Sequence, residues 1–83
     1  MYPESHWNYR VLAFTIDGDV YFDIREVHYR HEKPELYSTS SSLIESDSIK
    51  SLNWTLNRMK EALKKPILWG DERFPPEYKP ETK

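Results

Sequence analysis

The stretch SDSIKSLNWTLNRMKEALKKPIL, residues 46–68, decides the fold because it carries an unbroken helical stripe of apolar side chains. These side chains recur at alternating spacings of three and four, which places them on one face of a helix with 3.6 residues per turn. They are Ile49, Leu52, Leu56, Met59 and Leu63. Either Ser46 or Asp47 can cap the first turn, and Pro66 stops the helix near Lys65. We therefore expect an amphipathic helix whose apolar stripe is buried.

Trp54 is the one large residue on the other side of this helix. It projects nearly opposite the apolar stripe, on the same side as Arg58, where the helix should meet water. Tryptophan is enriched at the centres of protein interfaces. Two covers for Trp54 remain open: the aromatic C-terminal segment of the same chain, or a second molecule.

The turn sequence DGD at residues 17–19 predicts a β-hairpin, because segments rich in β-forming residues flank it on both sides. A three-residue loop would pair Ile16 with Val20, and we favour this register because it gathers six apolar side chains on one face. A two-residue loop would instead pair Val20 with Thr15. The two registers expose opposite sets of side chains.

Beyond the hairpin, the alternation of apolar residues slips near Arg25 and Glu26, where we expect a β-bulge. A second reversal at residues 31–34 precedes a short third strand near residues 35–39. The predicted fold class is α+β with the order β-β-β-α: a three-stranded antiparallel meander with one amphipathic helix packed on one face. A single domain would then span residues 8–68.

The ends of the chain differ in composition from this domain. Residues 1–7 form an N-terminal extension, and residues 69–83 form a tail rich in proline and aromatic residues. The chain has no cysteine, its formal net charge is −2, and no apolar run approaches the ~20 residues of a membrane-spanning helix. We expect a cytoplasmic protein with no cofactor, no membrane contact and no small-molecule substrate.

One helix covers only one face of such a sheet, so the other face should present unusually apolar side chains to a partner. These are Tyr9, Val11, Ala13 and Tyr21. Together with the helix face described above, they predict a protein-binding surface. Its proposed contact residues are Trp54, Tyr9, Val11, Tyr21 and Arg58.

Nucleic-acid binding is the first alternative, because aromatic rings on a sheet can stack unpaired bases. Arg10 and Arg25 would supply the positive charge, and Tyr9 and Tyr21 the rings. Acidic residues interspersed among these side chains argue against it, so a nucleic-acid partner is not favoured.

Metal binding and catalysis find less support. His28 and His31 are three residues apart on a strand that enters a turn, so they point to different faces and lack a third ligand. The carboxylates of Asp17, Asp19 and Asp23 belong to the turn or to outward positions. We expect no metal site and no enzymatic activity.

Three segments carry a resemblance to a known family: NYRV at residues 8–11, IREVHY at 24–29 and LNWTLNRMKEALKKPIL at 52–68. Together they resemble a family of small uncharacterised bacterial proteins over roughly residues 8–68, and this resemblance implies no catalytic or binding residue. The order of elements is also similar to the sheet-and-helix domain of HicB-type antitoxins. That similarity implies binding to a toxin-like protein, whereas a DNA-binding segment after Pro66 is not expected.

The function that we expect is a non-catalytic protein-interaction module. It would act as a homodimer, or as an adaptor or inhibitor bound to a larger protein. The alternatives are single-stranded nucleic-acid binding through the outer sheet face and HicB-like binding of a toxin.

Overall fold

A computed structural model describes residues 5–80 of the chain, which form a four-stranded sheet with one helix. The elements follow the order β1 (Ser5–Ile16), β2 (Asp19–Arg30), β3 (Lys33–Tyr37), α1 (Ile49–Ala62) and β4 (Leu68–Trp69), and a single 3₁₀ turn (Asp71–Arg73) ends the series. The α+β class, the helix and the third strand are therefore confirmed. Residues 1–4 of the predicted extension and 81–83 of the predicted tail lie outside the described residues.

The β1–β2 hairpin closes with the two-residue loop Asp17-Gly18. Both loop residues have positive φ, +51° and +86°, as the type I′ turn of a right-twisted hairpin requires. Thr15 pairs with Val20, so the three-residue register that we favoured is wrong. The geometry of the Asp-Gly turn outweighed the number of apolar side chains that the other register would have gathered on one face.

This register decides which side chains share a face of the sheet. Directly opposed residues of an antiparallel pair point the same way, so Val11 lies beside Ile24 on one face and Leu12 beside Asp23 on the other. Tyr21 is opposite Phe14, so it shares the face of Leu12.

The expected bulge at Arg25 and Glu26 is absent from the β1–β2 pairing, which continues without a shift. An irregularity occurs instead between His28 and Tyr29, where β2 pairs with β3. The apolar side chains in the first half of β2 point to one face of the sheet, and those in the second half point to the other. This change of face explains why the alternation in the sequence slips.

The sheet has four strands, whereas the sequence predicted a three-stranded meander. β4 pairs with β1 in parallel, with Leu68 beside Leu12, and gives the sheet order β3-β2-β1-β4. The following segment then doubles back along β4. The amide of Trp69 donates to the carbonyl of Pro76 at 2.8 Å, and the amide of Tyr78 donates to the carbonyl of Ile67 at 2.7 Å.

Both faces of the sheet are covered at the middle of β1. Leu12 and Ala13 are adjacent and point to opposite faces, yet both are 0% exposed. On the face of Leu12, the core consists of Leu12, Val27, Tyr29 and Leu68, with Phe14, Tyr37 and Phe74 packed against it. Since the covered centre includes both faces, no open outer sheet face of the kind predicted exists at Val11 or Ala13.

Helix α1 begins one or two residues later than predicted, because Ser48 is the cap and its side chain accepts a hydrogen bond from the Ser51 amide at 3.1 Å. The helix packs against β1, and its buried residues are Met59 and Ala62. Both lie outside the cluster around Leu12, so the helix covers the other side of β1, where Val11 and Ala13 are buried.

Candidate interaction surface

Three apolar residues of the predicted stripe face solvent. Ile49, Leu56 and Leu63 are 81%, 42% and 68% exposed, although the stripe predicted that they would be buried. The helix has turned so that Thr55 and Ala62, two small residues, lie toward the sheet with Met59. Small side chains let a helix backbone approach a strand closely, which leaves the longer apolar residues at the edge of the contact.

These exposed residues lie in one row along the helix, about two turns apart. They are seven residues apart, and seven residues are close to two helical turns, so the three side chains lie above one another along the helix. We call Ile49, Leu56 and Leu63 the helix strip. Several exposed apolar side chains on one side of a helix indicate a contact site.

Most charged side chains around the helix strip are basic. Residues 49–65 contain five basic residues and one acidic residue, Glu61, while the whole chain has a formal net charge of −2. The basic residues are Lys50, Arg58, Lys60, Lys64 and Lys65. Lys64 is 3.4 Å from Glu61, so one positive charge is paired within the helix. The solvent side of α1 therefore combines apolar surface with net positive charge.

Trp54 is exposed on the opposite flank of the helix, as its position predicted. It keeps 53% of its surface exposed, and the Arg58 guanidinium lies over its ring at 4.8 Å from the centroid. The aromatic residues of the C-terminal segment pack elsewhere: Tyr78 contacts Trp69 and Phe22. The tail therefore leaves Trp54 accessible and covers part of the sheet instead.

The other three predicted contact residues are not part of one surface. Val11 is 7% exposed, so its proposed role as a contact is wrong. Tyr9 is partly buried, and its ring packs edge-on against that of Trp7. Tyr21 is exposed but lies on the opposite face from Tyr9. Their separation follows directly from the two-residue hairpin loop.

The two arginines proposed for nucleic-acid binding are engaged within the fold. Arg10 is buried and donates to the Tyr29 hydroxyl and to the Pro66 carbonyl, both at 2.6 Å. Arg25 lies 3.1 Å from the carboxylate of Asp23, and its guanidinium stacks on the Phe14 ring. A buried arginine needs such partners, because an unpaired buried cation is costly. Neither group is presented to solvent as a phosphate contact would require.

A second group of exposed apolar side chains, not predicted from the sequence, lies at the end of the hairpin on both of its faces. Ile16 and Tyr21 share the face of Leu12, whereas Val20 and Phe22 share the face of Ala13. Ile16, Val20, Tyr21 and Phe22 are 37% to 54% exposed there. We call residues 16–23 the hairpin tip. It contains three aspartates, Asp17, Asp19 and Asp23, and no basic residue. The favoured register had assigned Ile16, Val20 and Phe22 to the buried face, which is why this surface was missed.

The C-terminal segment is fastened beside the hairpin by a charged cluster. Arg73 stacks on Trp69 at 3.5 Å from the ring centroid and donates to the Thr15 hydroxyl at 3.0 Å. It also bonds both carboxylate oxygens of Asp71, at 3.0 and 2.7 Å. These hydrogen bonds hold the pKa of Asp71 below its ordinary value of 3.8. The cluster is a structural tie between the end of the chain and β1.

The histidines considered as metal ligands are dispersed. His28 lies on β2 with its Nε2 at 3.6 Å from a Glu26 oxygen. Over residues 5–80, no group of three or more histidine, cysteine, aspartate or glutamate side chains comes together to hold a metal ion. Within the same residues, the one helix is too short and too polar to cross a bilayer.

Comparisons of the chain with protein-family models, with curated proteins and with solved structures found no match. The resemblances to a family of small bacterial proteins and to HicB-type antitoxins therefore stay predictions.

Proposed function

We propose that this protein is a non-catalytic protein-interaction module that works as a homodimer, adaptor or inhibitor. Its contact surface is the solvent side of α1, with the helix strip on one flank and Trp54 with Arg58 on the other. The observation that carries the proposal is the exposure of Ile49, Leu56 and Leu63 in one row. Burying one such side chain against a partner is favourable by about 1.5–3 kcal/mol.

Trp54 and Arg58 add the residue types that dominate interface energetics. The stacked guanidinium shields one side of the indole and leaves a rigid, partly apolar platform on the helix. A partner that covers both flanks would also desolvate the basic residues between them, and acidic groups on the partner would offset that cost.

The alternatives receive less support from the geometry. Nucleic-acid binding through Arg10, Arg25, Tyr9 and Tyr21 is weakened because Arg10 is buried and the two tyrosines are on different faces. Binding of a toxin-like protein, as the HicB-like layout implies, would be one form of the proposed function. The cytoplasmic location that we propose rests on the composition alone.

Site-specific photo-crosslinking from the helix strip tests the proposal. A photoreactive residue at position 56, in cells that make the full chain, should give discrete crosslinked products. The matched control carries the same residue at Lys33, an exposed position on β3 that lies outside the solvent side of α1. Leu63→Ser should reduce the products from position 56, because this exposed residue belongs to the same strip. Equal yields from positions 56 and 33 would refute the helix strip as a contact surface.

A further inference from the structure

We propose that the partner of the helix strip is the hairpin tip of a second copy of this chain, in a two-fold dimer with two such contacts. This inference rests on the proposed function and names the occupant of its surface. The helix strip of each copy would receive one face of the hairpin tip of the other, so the strip and that face of the tip would be covered in both copies.

The two surfaces match in hydrophobic character. The tip presents Ile16 and Tyr21 on one face and Val20 and Phe22 on the other, each at least one-third exposed, and the strip presents three aliphatic side chains. Because both surfaces stay exposed, they do not cover each other within one copy. A contact between copies removes both from water at once, which supplies the main favourable free energy of association.

The two surfaces also have opposite charge. Asp23 is paired with Arg25, which leaves Asp17 and Asp19 to set the charge of the tip. On the helix, Lys50, Lys60 and Lys64 lie near the strip on its solvent side. A tip placed against a strip therefore brings carboxylates to ammonium groups, and this complementarity fixes the pairing more than it adds affinity.

Charge also excludes the two simpler symmetric contacts. Strip against strip would bring Lys50, Lys60 and Lys64 of the two copies together, and tip against tip would bring the aspartates together. Like charges facing one another across an interface are destabilising. Reciprocal tip-to-strip contacts avoid both arrangements and close the assembly at two copies, because a two-fold axis exchanges the two contacts.

A standard dimer interface sets the area that the two contacts must supply together. The described residues expose 6523 Å² in all, and a standard interface covers about 800 Å² of each partner. Each copy would contribute both a hairpin tip and one side of a helix, so the required area is divided between two separate contacts.

Light scattering coupled to size-exclusion chromatography on the full chain tests the inference. The tip variant combines Asp17→Asn with Asp19→Lys, since asparagine tolerates the positive φ at position 17. The helix variant combines Lys60→Glu with Lys64→Glu. We expect the unmodified chain to dimerise, more weakly at high salt, and each variant alone to dimerise at least tenfold more weakly.

The decisive sample is an equimolar mixture of the two variants. In a heterodimer of tip variant and helix variant, both contacts again place opposite charges together, so dimerisation should return to the level of the unmodified chain. Two exposed positions on β3, which pairs with the end of β2 far from the tip, provide controls with charge changes of the same sign, Glu35→Lys for the tip and Lys33→Glu for the helix. Neither control should alter the dimer, and thermal unfolding followed by circular dichroism should show that every variant is folded.

Several results would overturn the inference. These are an unmodified chain that stays monomeric at all concentrations, variants that dimerise normally, a mixture that does not recover, and species that keep growing with concentration. Crosslinking from position 56 to a different protein, combined with a monomeric chain, would retain the proposed function and reject this dimer. Loss of crosslinking from position 56 together with a stable dimer would reject the helix surface instead.

Discussion

Two tryptophans of this chain are each followed, four residues later, by an arginine that lies over the ring, yet the two pairs have different surroundings. Arg73 is held over Trp69 by Asp71 and by the Thr15 hydroxyl, and the Tyr78 ring packs against the same indole. Arg58 lies over Trp54 on an exposed helix. The same residue pair fastens a chain segment to the sheet in one place and remains a surface feature in the other.

The contacts around a Trp–Arg pair, more than the pair itself, determine what it contributes to the protein. Around Trp69, a neighbouring strand and a reversed segment supply partners from distant parts of the sequence. Around Trp54, the helix supplies only its own neighbours at spacings of three and four. A pair with long-range partners contributes to folding, whereas one with local partners is available for binding.

The largest difference in the free energy of unfolding between the two pairs should come from removing each indole. Trp69→Ala should lower the free energy of unfolding by about 2–4 kcal/mol, because it removes the ring that packs on Tyr78 and under Arg73. Trp54→Ala should change it by no more than about 0.5 kcal/mol in dilute solution. Urea unfolding of both variants measures the difference. Similar losses for the two would show that Trp54 is also part of the folded core.

A smaller difference in stability should come from substituting the residue beside each indole. Gly70→Ala should destabilise the protein by about 1–3 kcal/mol, because the added methyl group would meet the Phe14 ring. Asn53→Ala, next to Trp54 on the exposed helix, should be neutral or stabilising by roughly 0.5 kcal/mol, since alanine favours helix. Thermal unfolding of the two variants provides the measurement. A harmless Gly70→Ala would mean that Phe14 can move away without loss of packing.

The smallest expected effect is on the pH dependence of stability. Hydrogen bonds from Arg73 keep the pKa of Asp71 in the folded protein below 3.8. The unfolded chain therefore takes up a proton at Asp71 at a higher pH than the folded chain does. The resulting stabilisation is present above about pH 4 and is lost as the pH falls through the lowered pKa.

Arg73→Gln should return the pKa of Asp71 toward 3.8 and flatten this part of the stability curve. Arg58→Gln should leave the pKa of Asp71 unchanged, because Arg58 belongs to the other pair. Titration of the Asp71 carboxyl by NMR in the three proteins measures both expectations. An unchanged Asp71 titration in Arg73→Gln would contradict the assigned cause.

Local features of the sequence were sufficient to predict the helix, its termination before Pro66 and the hairpin around Gly18. Each depends on neighbouring residues: a period of 3.6, a proline ring and a glycine able to take positive φ. The candidate surface was predicted in part. Trp54 and Arg58 lie where the helical period put them, because an exposed helix position follows from spacing alone.

Features that depend on distant contacts could not be read from those neighbours. β4 is a two-residue strand, and it exists only because Leu68 and Trp69 meet the free edge of β1. The hairpin register places Val11 and Tyr21, which were predicted to share the outer face, on opposite faces of the sheet. Val11 is buried and Tyr21 is exposed. Both outcomes require knowledge of which faces of the sheet are covered.

The periodicity of α1 specified that a helix forms and that one side of it is apolar. It did not specify which part of that side would meet the sheet, because Leu56 and Met59 are adjacent on the helix surface and either edge of the stripe could be buried. Packing against β1 selected the edge with Met59, Thr55 and Ala62, since small residues allow a closer approach. The helix strip is exposed for that reason.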